Sequence, residues 1–363
     1  MNNLLVLVVD DNAYIRTTIR KLLLKYDGID DVMVAEDGEV GLAKCLKYDF
    51  DIIILDIEMP RMDGFTFLRL LMDRKPLPVI MLSTQYDHQS VLKAMELGAI
   101  DFISKPTSAQ LDEIQIELKK KIEIALTYKS SSAKRILLAN KEIKKEERHS
   151  SVFLPPNKLG IGKGEIQNNI IVAIGSSTGG PAALYNIFKT LELDSQTSIL
   201  VSQHMPGSFT TAFAARLDNS SRYMINIAEN GERVNGGHVY VSPGDRNLLL
   251  KKIGDSYYLE LQEKAEEDNY VPSVSKLFNS VAQSVGDMAI GVILTGMGND
   301  GADGLLEIKR KNGYTIAESQ ETAVVYGMPK EAVKIGAVDK TLPLMEIHKE
   351  IERRIEILKK KKK

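Results

Sequence analysis

Along its first third the chain alternates short runs of aliphatic and β-branched residues with longer segments whose apolar positions recur every three to four residues. Residues 4–9, 32–35, 51–55, 79–82 and 99–103 are apolar runs of strand length, while 14–25 and 91–97 carry helical spacing. Strands apolar on both faces, separated by amphipathic helices, predict a parallel sheet covered on both sides. Five such units over residues 1–127 predict an α/β, doubly wound, five-stranded domain. Sheets of this kind gather ligands outside the carboxyl ends of their strands.

From about residue 130 the strand signal stops and Lys, Glu and Ser dominate. Pro155, Pro156, Gly160, Gly162 and Gly164 extend the stretch, which reads as a polar linker over 128–167. A second doubly wound α/β domain is expected over 168–355. Its strands fall at 169–174, 199–202 and 289–294, and its helices at 181–190, 209–217 and 274–285. Val234-Asn235-Gly236-Gly237-His238 and Lys252-Ile253-Gly254-Asp255 carry turn chemistry between strand-like runs, so antiparallel hairpins are expected across 223–261. Residues 356–363 read as a basic tail.

The 363 residues suffice for two domains with separate cores, and 44% hydrophobic with 26% charged residues is a soluble globular profile. A net charge of −2 gives no overall field favouring nucleic acid or an anionic membrane. The single cysteine, Cys45, excludes an intrachain disulfide and a cysteine zinc cage, and its apolar helical position reads as a buried small side chain. No run approaches the ~20 apolar residues of a membrane span. The opening run 4–9 is too short for a signal-peptide core and ends in Asp10-Asp11. A cytoplasmic protein without direct membrane insertion is expected.

Two places carry chemistry. In the first domain Asp10 and Asp11 follow the first strand and Asp56 follows the third. In a doubly wound sheet these strands are neighbours at the switch point, so the three acids converge. Their repulsion calls for a hard divalent cation with oxygen ligands, Mg²⁺ being the natural choice. Ser83 ends the fourth strand and Lys105 ends the fifth, ahead of Pro106. A hydroxyl, an ammonium, a cation and a nucleophilic carboxylate are what phosphoryl transfer to Asp56 needs. A single strand-end Asp is usually a turn former or cap; all five residues at the right strand ends is a far more specific pattern.

Val8-Val9-Asp10-Asp11-Asn12, Leu55-Asp56-Ile57-Glu58-Met59-Pro60-Arg61-Met62-Asp63-Gly64, Ser83 and Ser104-Lys105-Pro106 resemble the receiver domain of two-component response regulators, a flavodoxin-like fold. The resemblance implies phosphorylation of Asp56 by a partner histidine kinase. It also implies Mg²⁺ bound by Asp11, Asp56 and the Glu58 carbonyl, with Asp10 helping through water. Ser83 and Phe102 would respond as switch residues, and Lys105 would serve beside them.

In the second domain a strand runs into Gly175-Ser176-Ser177-Thr178-Gly179 and a helix opens near Pro181. This Gly-x-Ser-x-Gly pattern sets the Ser177 hydroxyl on a sharp strand-to-helix turn, though such a turn serves equally to cradle a phosphate. Gln203-His204-Met205-Pro206 sets a histidine at another strand end, in reach as a general base. Thr295-Gly296-Met297-Gly298-Asn299-Asp300-Gly301 brings an aspartate that could orient it. The Met297 N–H is a candidate oxyanion donor, with Thr178 as support. His238 is the competing histidine, but it falls in an expected hairpin turn. The order Ser, His, Asp differs from that of the α/β-hydrolases, and no HGGG-type segment is present.

These three segments, with Val241-Ser242-Pro243-Gly244-Asp245 and Tyr326-Gly327-Met328-Pro329, resemble the CheB chemotaxis receptor methylesterases. The resemblance implies Ser177 as nucleophile, His204 as base and Asp300 as its partner. The substrates would be methyl-glutamate esters, and probable glutamine amides, on methyl-accepting chemoreceptors. The phosphodonor would be a CheA-type kinase, the esterase step would need no cofactor, and the unphosphorylated receiver would cover the active site. Two other classes compete: a DNA-binding response regulator, which lacks a basic recognition helix here, and a phosphorylation-dependent binding module with a degenerate serine site.

Overall fold

The computed structural model describes residues 4–83, 88–106, 111–127, 170–192 and 195–361. The chain divides into two compact units, Met1–Glu147 and Arg148–Lys363. The linker expected over 128–167 lies outside the described residues.

The first unit runs β1 (Leu4–Val9), α1 (Ala13–Leu23), β2 (Ile29–Ala35), α2 (Gly38–Lys47), β3 (Ile52–Asp56), α3 (Gly64–Arg74), β4 (Val79–Ser83), α4 (His88–Glu96), β5 (Asp101–Ser104) and α5 (Leu111–Thr127). All neighbouring strands are parallel, in the order β2-β1-β3-β4-β5. The central strands β3 and β4 are buried at every residue, as helices on both faces require, whereas edge strand β2 exposes Asp30 and Asp31. Three helices start on polar caps: the Asn12, Asp37 and Asp63 side chains accept first-turn N–H groups of α1, α2 and α3. Gly64 permits α3 to start against the Asp56 carbonyl, where any Cβ would collide.

The second unit contains β6 (Ile170–Ser176), α6 (Gly180–Thr190), β7 (Thr197–Gln203), α7 (Gly207–Ser220), β8 (Met224–Ile227), β9 (His238–Val241), β10 (Asn247–Ile253), β11 (Ser256–Gln262), α8 (Val274–Val285), β12 (Ala289–Ile293), α9 (Ala302–Arg310), β13 (Tyr314–Glu318), α10 (Met328–Lys334), β14 (Lys340–Leu342) and α11 (Leu344–Lys361). Seven strands form a parallel sheet in the order β14-β13-β12-β6-β7-β9-β8, and β10 and β11 form a separate antiparallel pair. The chain leaves β6 in one direction through β7 and later returns to β12 on its other side, so the switch point lies at β6. Beneath this point α8 packs Val274, Leu277, Phe278 and Val281 against Ile171, Ala173 and Ile293. Burying a side chain such as Phe278 contributes roughly 2–3 kcal/mol.

Two expectations need correction. Only the turn at Gly254 makes an antiparallel hairpin. The Asn235-Gly236-Gly237 turn leads into β9, which pairs parallel with both β7 and β8. Its glycines serve a close approach instead: a Cβ on Gly236 would strike the Ser195 carbonyl, and the Gly237 N–H donates to the Thr197 carbonyl at 2.7 Å. The expected basic tail from 356 is also the last turns of α11. Leu344, Ile347, Ile351, Ile355 and Leu358 form one buried stripe, which runs past the expected domain end at 355.

Candidate active site

At the carboxyl edge of the seven-stranded sheet, Ser176 of β6 and Gln203 of β7 are register partners. Ser177 and His204 are therefore the first residues beyond two neighbouring strands, and the His204 N–H donates to the Ser176 carbonyl at 3.0 Å. The chain turns at once after Ser177. The Gly180 N–H returns to the Ser177 carbonyl at 2.8 Å, Gly179 takes φ 78°, and α6 begins. Glycine enters that left-handed conformation without steric cost. Gly180 has no room for a Cβ either, which would run into the Gln203 amide and the Ser176 side chain. Ser177 thus stands half-buried at the positive end of a helix, where developing negative charge is favoured.

Gln203, buried at the end of β7, ties the two strand ends together. Its Oε1 accepts from Ser176 Oγ at 2.6 Å, and its Nε2 donates to the carbonyls of Ser177 and His204 at 2.9 Å each. The loop after β12 closes on the same point. The Ser177 N–H donates to the Thr295 carbonyl at 3.0 Å, and Thr295 Oγ1 donates to the Thr178 carbonyl at 2.8 Å. Gly296 lies so near that a Cβ there would meet the Cβ of Ser177.

Asp300 comes round at the far end of this loop, 6% exposed. Its Oδ2 lies 2.8 Å from His204 Nε2. The same carboxylate accepts the Val274 N–H at 2.7 Å, the Ser275 N–H at 2.9 Å and the Ser273 hydroxyl at 3.1 Å. These donors are the opening of α8, whose first N–H groups have no partner within the helix and whose dipole favours an anion. Burial pushes the Asp300 carboxyl up, but His204 and the Ser275 and Val274 N–H groups outweigh it and hold the group below the ordinary carboxylate value. Gly175 and Gly301 both lack room for a Cβ beside Val274, so α8 can lie close enough for its N-terminus to meet Asp300.

The Tyr270 ring stacks on the His204 imidazole, 4.9 Å between centroids and 4° from parallel. Met297 stands at the rim of the loop with 42% of its surface exposed. His238 is elsewhere: it opens β9 at the amino-end side of the sheet and stacks on Tyr240, and burial pushes its pKa down.

In the first unit, β1, β3 and β5 deliver the other group of predicted residues. Lys105 Nζ lies 2.7 Å from Asp56 Oδ2 and 3.2 Å from Asp10 Oδ2. Burial pushes the Asp56 pKa up to about 6, against the pull of Lys105 and with the help of Asp10. Burial likewise raises Asp10. The Lys105 N–H donates to the carbonyl of Ser83, which is buried at the end of β4. Phe102 lies on β5 with the Lys121 ammonium 4.7 Å above its ring. Glu58 is exposed, and its N–H reaches back to the Asp56 carboxylate. One oxygen each of Asp10, Asp11 and Asp56 lie within 4.8 Å of one another. Asp10 Oδ2 and Asp56 Oδ2 are buried, and both face the Lys105 ammonium. Three carboxylates gathered at the single positive charge of Lys105, two of them buried, fit a hard divalent cation.

Sequence reasoning quoted Gln203 and Thr295 inside motifs without giving them a role, and passed over Tyr270, Ser273, Ser275 and Glu318. Ser273 alone carried a legible signal, as a helix N-cap just before an apolar run.

A model of the CheB methylesterase matches residues 172–351, and one of the response regulator receiver domain matches residues 6–117. The chain is 38% identical to protein-glutamate methylesterase/protein-glutamine glutaminase 3 of Geobacter sulfurreducens, covering 99% of each chain. It is 40% identical to protein-glutamate methylesterase/protein-glutamine glutaminase 1 of Myxococcus xanthus, covering 94% of each. The crystal structure of the Thermotoga maritima CheB methylesterase catalytic domain is 41% identical over 52% of this chain and 98% of that one, with a TM-score of 0.49. With relatives at this identity aligned from one end to the other, the chain belongs to the CheB methylesterase family and carries a response regulator receiver domain ahead of its esterase domain.

Proposed function

We propose that this chain hydrolyses methyl-glutamate esters on methyl-accepting chemoreceptors and deamidates receptor glutamines, in the cytoplasm, under control of phosphorylation at Asp56. The observation that carries the reading is the His204–Asp300 pair beside Ser177. Asp300 holds the proton on Nε2, which leaves the Nδ1 lone pair to accept the Ser177 proton. Ser177 Oγ attacks the γ-carbonyl carbon, and the tetrahedral oxyanion forms near the α6 N-terminus, the Met297 N–H and Thr178. As the tetrahedral intermediate collapses, His204 passes the proton to the leaving methoxy oxygen, or to the amide nitrogen of a glutamine, which departs as methanol or ammonia. Water then attacks the glutamyl ester with His204 again as base, releasing the glutamate carboxylate and restoring Ser177.

In the receiver, Asp56 accepts the phosphoryl group from a histidine kinase of the CheA type. Asp10, Asp11, Asp56 and the Glu58 carbonyl would hold Mg²⁺, which neutralises charge on the transferring group. Lys105 pairs with the phosphoryl oxygens, and Ser83 and Phe102 respond to them. The domain limits 1–127 and 168 onward fit these two roles, with 128–167 between them.

The test is methanol release from methylated chemoreceptor by wild type and Ser177→Ala, with and without a small phosphodonor. The expected outcome is an activity that vanishes with Ser177 and rises with phosphodonor. Full activity in Ser177→Ala would remove the nucleophile assignment, and indifference to the phosphodonor would remove the control by Asp56.

A further inference from the structure

We infer that Glu318 is a positioning residue for the nucleophile turn: it anchors Thr295, and Thr295 in turn fixes the backbone of Ser177 and Thr178. The inference rests on Ser177 being the nucleophile. Glu318 ends β13, two strands from β6 across the sheet, and is 1% exposed. Its Oε2 accepts the Thr295 N–H at 2.9 Å, and its Oε1 accepts the Thr322 hydroxyl at 2.9 Å. Thr322 Oγ1 itself accepts the Leu344 N–H at 2.9 Å, where α11 begins.

Every polar group of Thr295 is then engaged. Its N–H goes to Glu318, its carbonyl takes the Ser177 N–H, and its hydroxyl donates to the Thr178 carbonyl while accepting the Val325 N–H at 2.9 Å. A residue held at all its polar atoms has one position. Two of those atoms set the two residues of the turn that aims the serine hydroxyl. Without the acceptor on Glu318, the buried Thr295 N–H loses its partner, and the start of the loop after β12 must shift to find water or another acceptor. That shift carries the Ser177 contact with it. Glu318 touches neither Ser177 nor any substrate position; it acts through Thr295 alone.

Reach, rather than charge, is what this role demands. Glutamine keeps the length and an acceptor oxygen for Thr295. Aspartate keeps the charge but is one methylene short of spanning both threonines. Leucine keeps the volume and offers no acceptor.

The experiment titrates Ser177 in the full-length protein with an activated phosphonate ester, reading amplitude and rate separately. Amplitude counts folded, competent molecules, whereas rate reports how well the hydroxyl is aimed. Glu318→Gln should label within about threefold of the wild-type rate, and Glu318→Leu and Glu318→Asp about tenfold or more slower at full amplitude per folded molecule. Ester hydrolysis by the slow variants should lose kcat while KM stays near wild type. A wild-type labelling rate in Glu318→Asp, or in the folded fraction of Glu318→Leu, would overturn the inference, since a purely structural role lowers amplitude and leaves rate alone. Should Glu318→Leu fail to fold, the aspartate variant decides by the same criterion. Failure of the underlying reading looks different: the wild type itself would not label, or labelling would survive Ser177→Ala.

Discussion

His204 turns Nε2, not Nδ1, toward Asp300, with 2.8 Å between Nε2 and the carboxylate Oδ2. In the serine protease arrangement the acid takes Nδ1 and the serine takes Nε2. With Ser177 as the proposed nucleophile the two nitrogens would exchange duties: His204 follows a strand end next to that of Ser177, while Asp300 is held by the start of α8. The chemistry survives the exchange, since either nitrogen can be the base once the other is held as N–H.

Asp300→Asn tests that assignment. The amide offers one oxygen to four donors, so its NH₂ must face a donor, and the imidazole loses the acceptor that fixes its tautomer. The turnover number is expected to fall by about 10⁴-fold, as when the acid of a serine triad becomes an amide. A buried donor left without a partner costs about 1–3 kcal/mol in stability. Because the folded pKa of Asp300 is depressed, its contribution is present above the ordinary carboxylate value and is lost as pH falls through the folded value. Urea unfolding of wild type and variant should therefore diverge near neutral pH and converge in acid.

Glu318 predicts the opposite pH trend. Burial pushes its pKa up to about 7, against the Thr295 and Thr322 hydrogen bonds. The folded state then binds more protons than the unfolded state between the ordinary glutamate value and about 7, so this contribution to stability is full in acid and declines as pH rises through that window. A shift of this size corresponds to roughly 3–4 kcal/mol. Glu318→Gln does not ionise and should escape the decline. Hydrogen exchange of β13 peptides in urea, at pH 5 and pH 8, is expected to show the variant gaining on wild type at the higher pH. An equal gap at both values would rule out titration of Glu318 in this range.

What the sequence made legible follows how locally each feature is encoded. Ser177, His204 and the receiver acids could be read as candidates because each lies at a strand end, and Asp300 because its glycine-rich loop follows a strand, while the doubly wound topology brings strand ends together. Asn235-Gly236-Gly237 misled because turn chemistry is local while strand pairing is not. The same residues that suit a hairpin here let the chain pass the Ser195 carbonyl and enter a parallel sheet. The lysines at 359–361 hid the period of Ile351, Ile355 and Leu358, which carries α11 past the expected end of the domain. Tyr270 and Glu318 had no signal, because what gives them a role is a ring and a peptide contributed from elsewhere in the chain.

Tyr270 yields the third prediction. Its ring lies parallel to the imidazole at 4.9 Å, so it can both hold the plane of His204 and favour the imidazolium that forms in each step. A cation over an aromatic face gains ~0.5–1 kcal/mol at an exposed site, or about two- to fivefold in rate. Tyr270→Leu should slow ester hydrolysis by at least that factor, and Tyr270→Phe should stay near wild type. If the phenylalanine variant were as slow as the leucine one, the hydroxyl and not the ring face would be responsible.

The last prediction concerns Lys105, whose ammonium stands between Asp10 and Asp56 and pairs with both. Asp10 and Asp56 are buried, and Asp11 brings a third carboxylate within 4.8 Å, so the site depends on positive charge to stay folded. Removing one partner of a buried ion pair costs roughly 3–5 kcal/mol, because the remaining charges lose their compensation. Lys105→Met keeps the aliphatic stem and removes only that charge. Without divalent cation, its β1 and β3 peptides should exchange hydrogen much faster than those of wild type. A ligand that binds only the folded state stabilises it by mass action. Millimolar Mg²⁺ should therefore restore protection more in the variant than in wild type, since it supplies the charge that Lys105 no longer does. Restoration of folding without restoration of phosphate uptake from a small phosphodonor would separate the compensation of the carboxylates at rest from the proposed pairing of Lys105 with phosphoryl oxygens on Asp56. Protection equal to wild type in the absence of cation would mean that the carboxylates are already relieved by some other group.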